Sequence, residues 1–216
     1  MTVKFKNPAE SLFNEFYSID KRVFFILVCL ITFLLLFLKK SLIESHIAAF
    51  EILEERGKMG IYHAVNALQY FTIPVIYLFK FTLTAFILWV GCFTWGYKVH
   101  FNRLWQLVML AECIFFLAEF MKIGWFLLVS TDPDIWEVRA FYPFSLMGFF
   151  NYQNINAAWH YPLKALNLFE VLYWVILILG IQYLSKKKIS VSIYIVLSFY
   201  VFWFLMWLGF YIIVYK

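Results

Sequence analysis

Charge is scarce in this sequence. Only 14% of its 216 residues are Asp, Glu, Lys or Arg, against 64% that are hydrophobic and 23% that are aromatic. A soluble domain covers itself with charged side chains, so this composition excludes one. Glycine (8) and proline (5) are also few. That excludes collagen-like repeats and flexible low-complexity tracts. There are three cysteines, Cys29, Cys92 and Cys113. Each sits inside an apolar stretch, outside any CxxC and away from histidine, so they read as small buried hydrophobes. The four histidines, His46, His63, His100 and His160, show no metal-ligand spacing and no HExxH, which argues against zinc. There is no P-loop, no Gly-rich dinucleotide turn and no paired-Asp motif of a lipid-phosphate transferase. No cofactor and no metal are expected.

What the chain does have is long apolar runs. A helix needs about 20 apolar residues to cross the hydrocarbon core, so the chain has room for five or six crossings and nothing else. The expectation is an all-α, polytopic transmembrane bundle of about five spans, a single membrane domain over residues 1–216. The spans are placed at about 19–38, 71–97, 104–129, 166–184 and 189–214. Two interfacial amphipathic helices are placed at 8–17 and 41–58. In the first, Asn7 caps, Pro8 takes the opening position, and Leu12, Phe13, Phe16 and Tyr17 share a face. In the second, Leu42, Ile43, Ile47, Phe50 and Leu53 form a stripe opposite Glu44, Glu51, Glu54 and Glu55. The first apolar run starts at Val23 and reaches Lys39-Lys40 with no small-residue cleavage site, so it reads as a retained span rather than a cleaved signal. Residues 61–97 are too long for one crossing. Pro74 and Lys80 divide them, with His63–Gln69 as an interfacial approach; a broken helix or a sixth span are the alternatives. The segment 130–164 reads as an aromatic surface loop punctuated by Pro133, Pro143 and Pro162; it is too apolar to float in water and should lie at the membrane surface, where Trp and Tyr collect, or fold back over the bundle.

The formal charge of +5 does not point to nucleic acid, because no basic face is long enough to track phosphates. The lysines lie beside apolar runs. Lys4, Lys6, Lys21, Arg22, Lys98, Arg103 and Lys186–Lys188 would share one side, and most acids the other. This places the N-terminus in the cytoplasm, with Lys39-Lys40 dissenting. The localisation expected is a bacterial inner membrane.

The charges inside the apolar runs hold the most information. Ionised side chains at membrane depth cost roughly 2.5–3.5 kcal/mol on insertion scales, so each has a partner or a job. Glu112 and Glu119 are seven apart, on one face of the third span, and Lys122 is one turn beyond Glu119. Lys80 lies in the second span and Glu170 near the start of the fourth. These five form the candidate polar cluster. They read either as internal ion pairs that set helix register, Glu119 with Lys122 and Glu170 with Lys80 or Lys122, or as the lining of an ion or proton path. The first reading is preferred, because carriers break their helices with Gly or Pro at midspan. Ser145 and His160 could be paired for nucleophilic catalysis, but Ser145 lacks a Gly-x-Ser-x-Gly elbow, and no catalytic residue is assigned.

Two stretches carry a family pattern. One is Tyr142-Pro143-Phe144-Ser145-Leu146, followed by Asn167-Leu168-Phe169-Glu170, Trp174 and Gly180. The other runs from Ile87 to Lys122 and includes Phe101-Asn102-Arg103-Leu104-Trp105. Together they resemble the Yip1-like family of five-span membrane proteins over roughly residues 87–214. Glu170 stands where bacterial members often have Asp. The resemblance implies a five-helix membrane bundle and no catalytic residue to carry over. Eukaryotic relatives bind small GTPases and each other, but this chain lacks the long soluble N-terminal region that such binding would use. The function expected is a non-enzymatic accessory or scaffold protein that binds lipid and either another membrane protein or further copies of itself. A small oligomeric transporter or channel using the intramembrane Glu and Lys residues is the first alternative, and a membrane enzyme acting at the 130–164 loop the second.

Overall fold

The computed structural model describes residues 8–43, 59–130 and 133–215. Helix α1 is Pro8–Ser18, α2 is Lys21–Leu42, α3 is Met59–Thr94 and α4 is Phe101–Leu128. Helix α5 is the short Ile135–Ala140, α6 is Ala157–Ala165, α7 is Leu168–Ser185 and α8 is Ile189–Val214. Among the described residues there is no β-strand. Among the described residues, four helices are long and apolar enough to cross a membrane: α2, the Ala67–Thr94 part of α3, α7 and α8. The chain is therefore an all-helical protein of membrane character.

The expected boundaries need four corrections. First, α3 is one continuous helix, and Pro74 lies inside it without ending it. A proline removes one backbone hydrogen bond, and a long apolar helix in a low-polarity setting keeps the rest because nothing else can satisfy them. Second, the 130–164 segment is not an open loop. It folds into α5, a 3₁₀ turn at Leu146–Phe149 and α6. Third, Ser41 and Leu42 finish α2, and the remainder of the second amphipathic helix, 44–58, lies outside the described residues. Fourth, α8 contains a π-helical stretch, Val196–Val201, which no periodicity in the sequence announced.

Helix α4 is the centre of the bundle. It packs against α2, α3 and α7, and eleven of its residues are buried, Glu112 and Lys122 among them. Two glycines set the closest approaches. A Cβ at Gly180 on α7 would overlap Leu107 of α4, and one at Gly91 on α3 would lie 2.9 Å from the Phe199 ring in the π stretch. Small residues at such crossings let backbones approach where lipid provides no hydrophobic drive.

The bundle has two dissimilar ends. At one end, α1 lies against α7 and the start of α4. Phe13 and Phe16 are buried, Tyr17 stacks on Tyr183 at 5.8 Å, and the Arg103 guanidinium sits 5.0 Å over the Tyr17 ring. Lys21 bonds Asn102 at 3.3 Å, Asp20 caps α2 through Arg22 N–H, and Lys186 closes α7 in a left-handed conformation. At the other end Lys40 bonds Gln69. There Leu35 and Ile43 of α2 pack with Ile123, Phe126 and Val138, and residues 133–165 close over the helices as a cap.

Candidate functional site

The cap is stitched down by backbone pairing and by one buried lysine. Leu146 N–H donates to the Leu166 carbonyl at 3.0 Å, and Leu168 N–H to the Phe144 carbonyl at 3.2 Å. A turn at Pro143–Phe144 is closed by Ser145 N–H to the Tyr142 carbonyl at 3.2 Å. Phe144 sits there at φ +53°, a left-handed conformation that glycine or asparagine normally occupies in such turns. Asn167 holds the junction with α7. Its Oδ1 accepts from Glu170 N–H at 2.9 Å, and its Nδ2 donates to the carbonyls of Lys164 and Ala165, both at 3.0 Å. From below, Lys122 Nζ donates to the carbonyls of Val138 and Phe141 at 2.9 and 2.7 Å.

Under the cap lies the polar cluster, where the structure redraws the expected pairings. Among the described residues the ion pair is Lys80–Glu112, Nζ to Oε1 at 2.6 Å. It joins α3 to α4. The Glu119–Lys122 pair that spacing suggested is not formed, since Lys122 points to the cap carbonyls, and Glu170 takes neither lysine as a direct partner. Its Oε1 accepts from Trp174 Nε1 and from the Tyr200 hydroxyl, each at 2.9 Å. The π stretch explains the second contact. It sets Tyr200 beside Glu170 while Phe199 and Ile195 cover Gly91; π turns insert a residue into the helical register and recur at functional positions.

Glu112 and Glu170 are 3% and 7% exposed. Glu112 Oε2, the Tyr173 hydroxyl and Ser145 Oγ are buried without a hydrogen-bond partner. Both carboxylates act electrostatically on Tyr173. Lys80 is reached from one side, its side chain 43% exposed, with Nζ 5.1 Å over the Phe115 ring. Glu119 is half-buried and acts electrostatically on Tyr142 in the cap. Burial first, then Glu119, Glu112 and Glu170, hold the Tyr142 phenol above its usual range, so it is neutral.

Two cavities lie against the cap, and the first reaches the cluster at Glu170. One of about 380 Å³ lies between the Phe144–Leu146 strap and the start of α7, with Glu170 and Asn167 as its polar lining. A larger one of about 770 Å³ opens between the end of α4 and the cap, lined by Trp125, Phe141, Phe144, Phe149 and Phe150 among others. Ser145 and His160 are not brought together as a nucleophilic pair. His160 Nε2 lies 2.9 Å from the Tyr152 carbonyl and 3.2 Å from that of Ile155, and its ring stacks on Tyr152 at 3.8 Å. No group of three metal-ligating residues occurs among the described residues.

Of the five charged residues that the sequence singled out, the structure pairs Lys80 with Glu112, sets Glu170 against Trp174 and Tyr200, and turns Lys122 to the cap carbonyls. Sequence reasoning missed Tyr173, Tyr200 and Trp174 as neighbours of these charges. The i, i+4 spacing of Glu170 and Trp174 was an available signal for one of them. No family model, no curated protein and no solved structure matches the chain.

Proposed function

We propose that the protein is a non-enzymatic membrane scaffold or accessory subunit of five spans. Helix α4 is the fifth span; α2, α3 and α7 pack against it, and Leu117, Phe120, Trp125 and Leu128 of its second half face outward. The N-terminus is cytoplasmic, because Lys21, Arg22, Lys98, Arg103 and Lys186–Lys188 gather at the α1 end of the bundle. A bacterial inner membrane and the Yip1-like resemblance fit this arrangement.

One observation carries the scaffold reading. The cap is anchored at its base by Lys122, Asn167 and the Ser145–Asn167 bridge, yet it turns large apolar side chains outward: Phe149 is 83% exposed, Phe144 63% and Phe150 54%. A fixed backbone presenting aromatic anchors is what recognition surfaces use, since little side-chain entropy is lost on contact. The occupant proposed is a membrane-protein partner at the outer leaflet boundary.

A photoreactive phenylalanine analogue at Phe149, irradiated in native membranes, tests this. A protein adduct of one discrete mass is expected there, and lipid adducts alone from the same analogue at Val175 on α7. Lipid adducts alone at both positions would refute the scaffold reading. The transporter alternative draws on the half-buried Lys80–Glu112 pair; it requires a solute flux that Glu112→Gln abolishes without loss of folding.

A further inference from the structure

The polar cluster does not balance its charge. Lys80 is committed to Glu112 at 2.6 Å, and Glu170 remains as a second buried carboxyl. The groups facing it come from every element around it. Helix α3 supplies Lys80, α4 supplies Glu112, the cap supplies Tyr142, α8 supplies Tyr200, and α7 itself supplies Tyr173 and Trp174. Helix α2 contributes only the uncharged Thr32, bonded to Tyr77, and Cys29 nearby. Glu119 and Lys122 lie further along α4 toward the cap, where Lys122 is bonded to the Val138 and Phe141 carbonyls. Among the described residues, two carboxyls, Glu112 and Glu170, and one ammonium, Lys80, therefore meet at this point, one negative charge too many for a site of low polarity.

We propose that Glu170 is a proton-binding site, carrying one exchangeable proton that makes the cluster electroneutral and that moves in and out through the cavity beneath the Phe144–Leu146 strap. Three features of the site support it. Glu170 is 7% exposed, yet it lines that cavity of about 380 Å³. Both bonds to Glu170 arrive at Oε1, from Trp174 and Tyr200, which leaves Oε2 as the atom to carry the proton. Glu112 Oε2, buried and without a hydrogen-bond partner, and the Tyr173 hydroxyl, on which both carboxylates act, are polar groups whose hydrogen bonding can change when the proton leaves. The proposal is independent of whether the cap binds a partner.

The test uses the full chain in nanodiscs and dicyclohexylcarbodiimide. This apolar reagent adds a protonated carboxyl across its C=N bond, the acid proton going to nitrogen and the carboxyl oxygen to carbon, and rearranges to a stable N-acylurea found by peptide mass spectrometry. Wild type should label at Glu170 and not at Glu112. Labelling should fall by about tenfold per pH unit above its midpoint. Lys80→Met removes the cation paired with Glu112, so Glu112 should then label as well. Glu112→Gln makes Glu170 the counterion of Lys80, so labelling at Glu170 should drop. Infrared spectra provide a reagent-free readout: a carboxylic-acid C=O band that disappears on raising the pH and grows in Lys80→Met. The wild-type titration needs no variant to fold. Absence of both adduct and band at every pH where the chain stays folded would overturn the proposal, as would labelling at Glu170 that Glu112→Gln leaves unchanged.

Discussion

Gly180→Ala is the sharpest test of how the bundle is held. The added methyl would overlap Leu107 Cδ1 and lie 2.6 Å from Cδ2 and 2.8 Å from Cγ. Ordinary carbon contacts are about 3.5–4.0 Å. Leu107 is 0% exposed, packed in the core between α4 and α7, so it has no solvent to swing into. Either the leucine leaves its rotamer or the helices separate. Overpacking of this kind costs about 1–3 kcal/mol, and here the upper half applies because all three atoms of the isobutyl head are struck at once. Leu107→Ala alone should cost about 2–5 kcal/mol through the cavity it opens. The double variant is decisive. The new methyl falls in the vacated space, so the two losses should not add, and a coupling of about 1–3 kcal/mol is expected. Reversible unfolding in nanodiscs, followed by tryptophan fluorescence, measures all three. A Gly180→Ala protein as stable as wild type would refute the close approach, and so would a double variant at the additive sum.

Lys80→Met strips the buried Glu112 of its cation and should cost about 3–5 kcal/mol at neutral pH, whereas Lys80→Met with Glu112→Leu should recover most of that loss, because a pair replaced by apolar groups leaves no charge behind. The same unfolding assay reads both. Lys122→Met frees the carbonyls of Val138 and Phe141; at about 1.5–3 kcal/mol for a bond to a charged donor, amide exchange across 138–150 should accelerate at least tenfold while α7 is unchanged. Asn167→Ala removes the cap of α7 and two bonds to the cap segment, for a loss of about 1–3 kcal/mol in unfolding free energy. Burial, then nearby Lys39 and Arg139, hold the Lys164 amine below its usual value. The unfolded chain then binds more protons between that lowered value and about 10.4, so stability should rise with pH through this window, and Lys164→Gln should flatten the rise.

Much of this architecture was legible before any coordinates. Runs such as Val23–Leu38 and Ile189–Val214 declare membrane-crossing helices by length and apolarity alone, and these are local properties. The amphipathic face of Phe13, Phe16 and Tyr17 announced α1, and its burial against Tyr183 follows from that face. The five charged residues could be named because charge in an apolar run is conspicuous. Less could be read in the cap. Its aromatics predict surface depth, but α5, the 3₁₀ turn and α6 depend on anchors supplied from elsewhere, above all the Lys122 amine beneath them.

The sequence by itself determined the solvent this chain prefers, its helical character and which residues would be costly to bury, because each is set by composition and short-range periodicity. Only the tertiary structure decided which charge meets which. Lys80 and Glu112 are 32 residues apart, and Tyr200 reaches Glu170 from 30 residues away through a π-helical stretch. Those meetings depend on which helix faces touch and at what depth. Glycines at Gly91 and Gly180 fix that in three dimensions by letting backbones come close, and no spacing along one helix contains it.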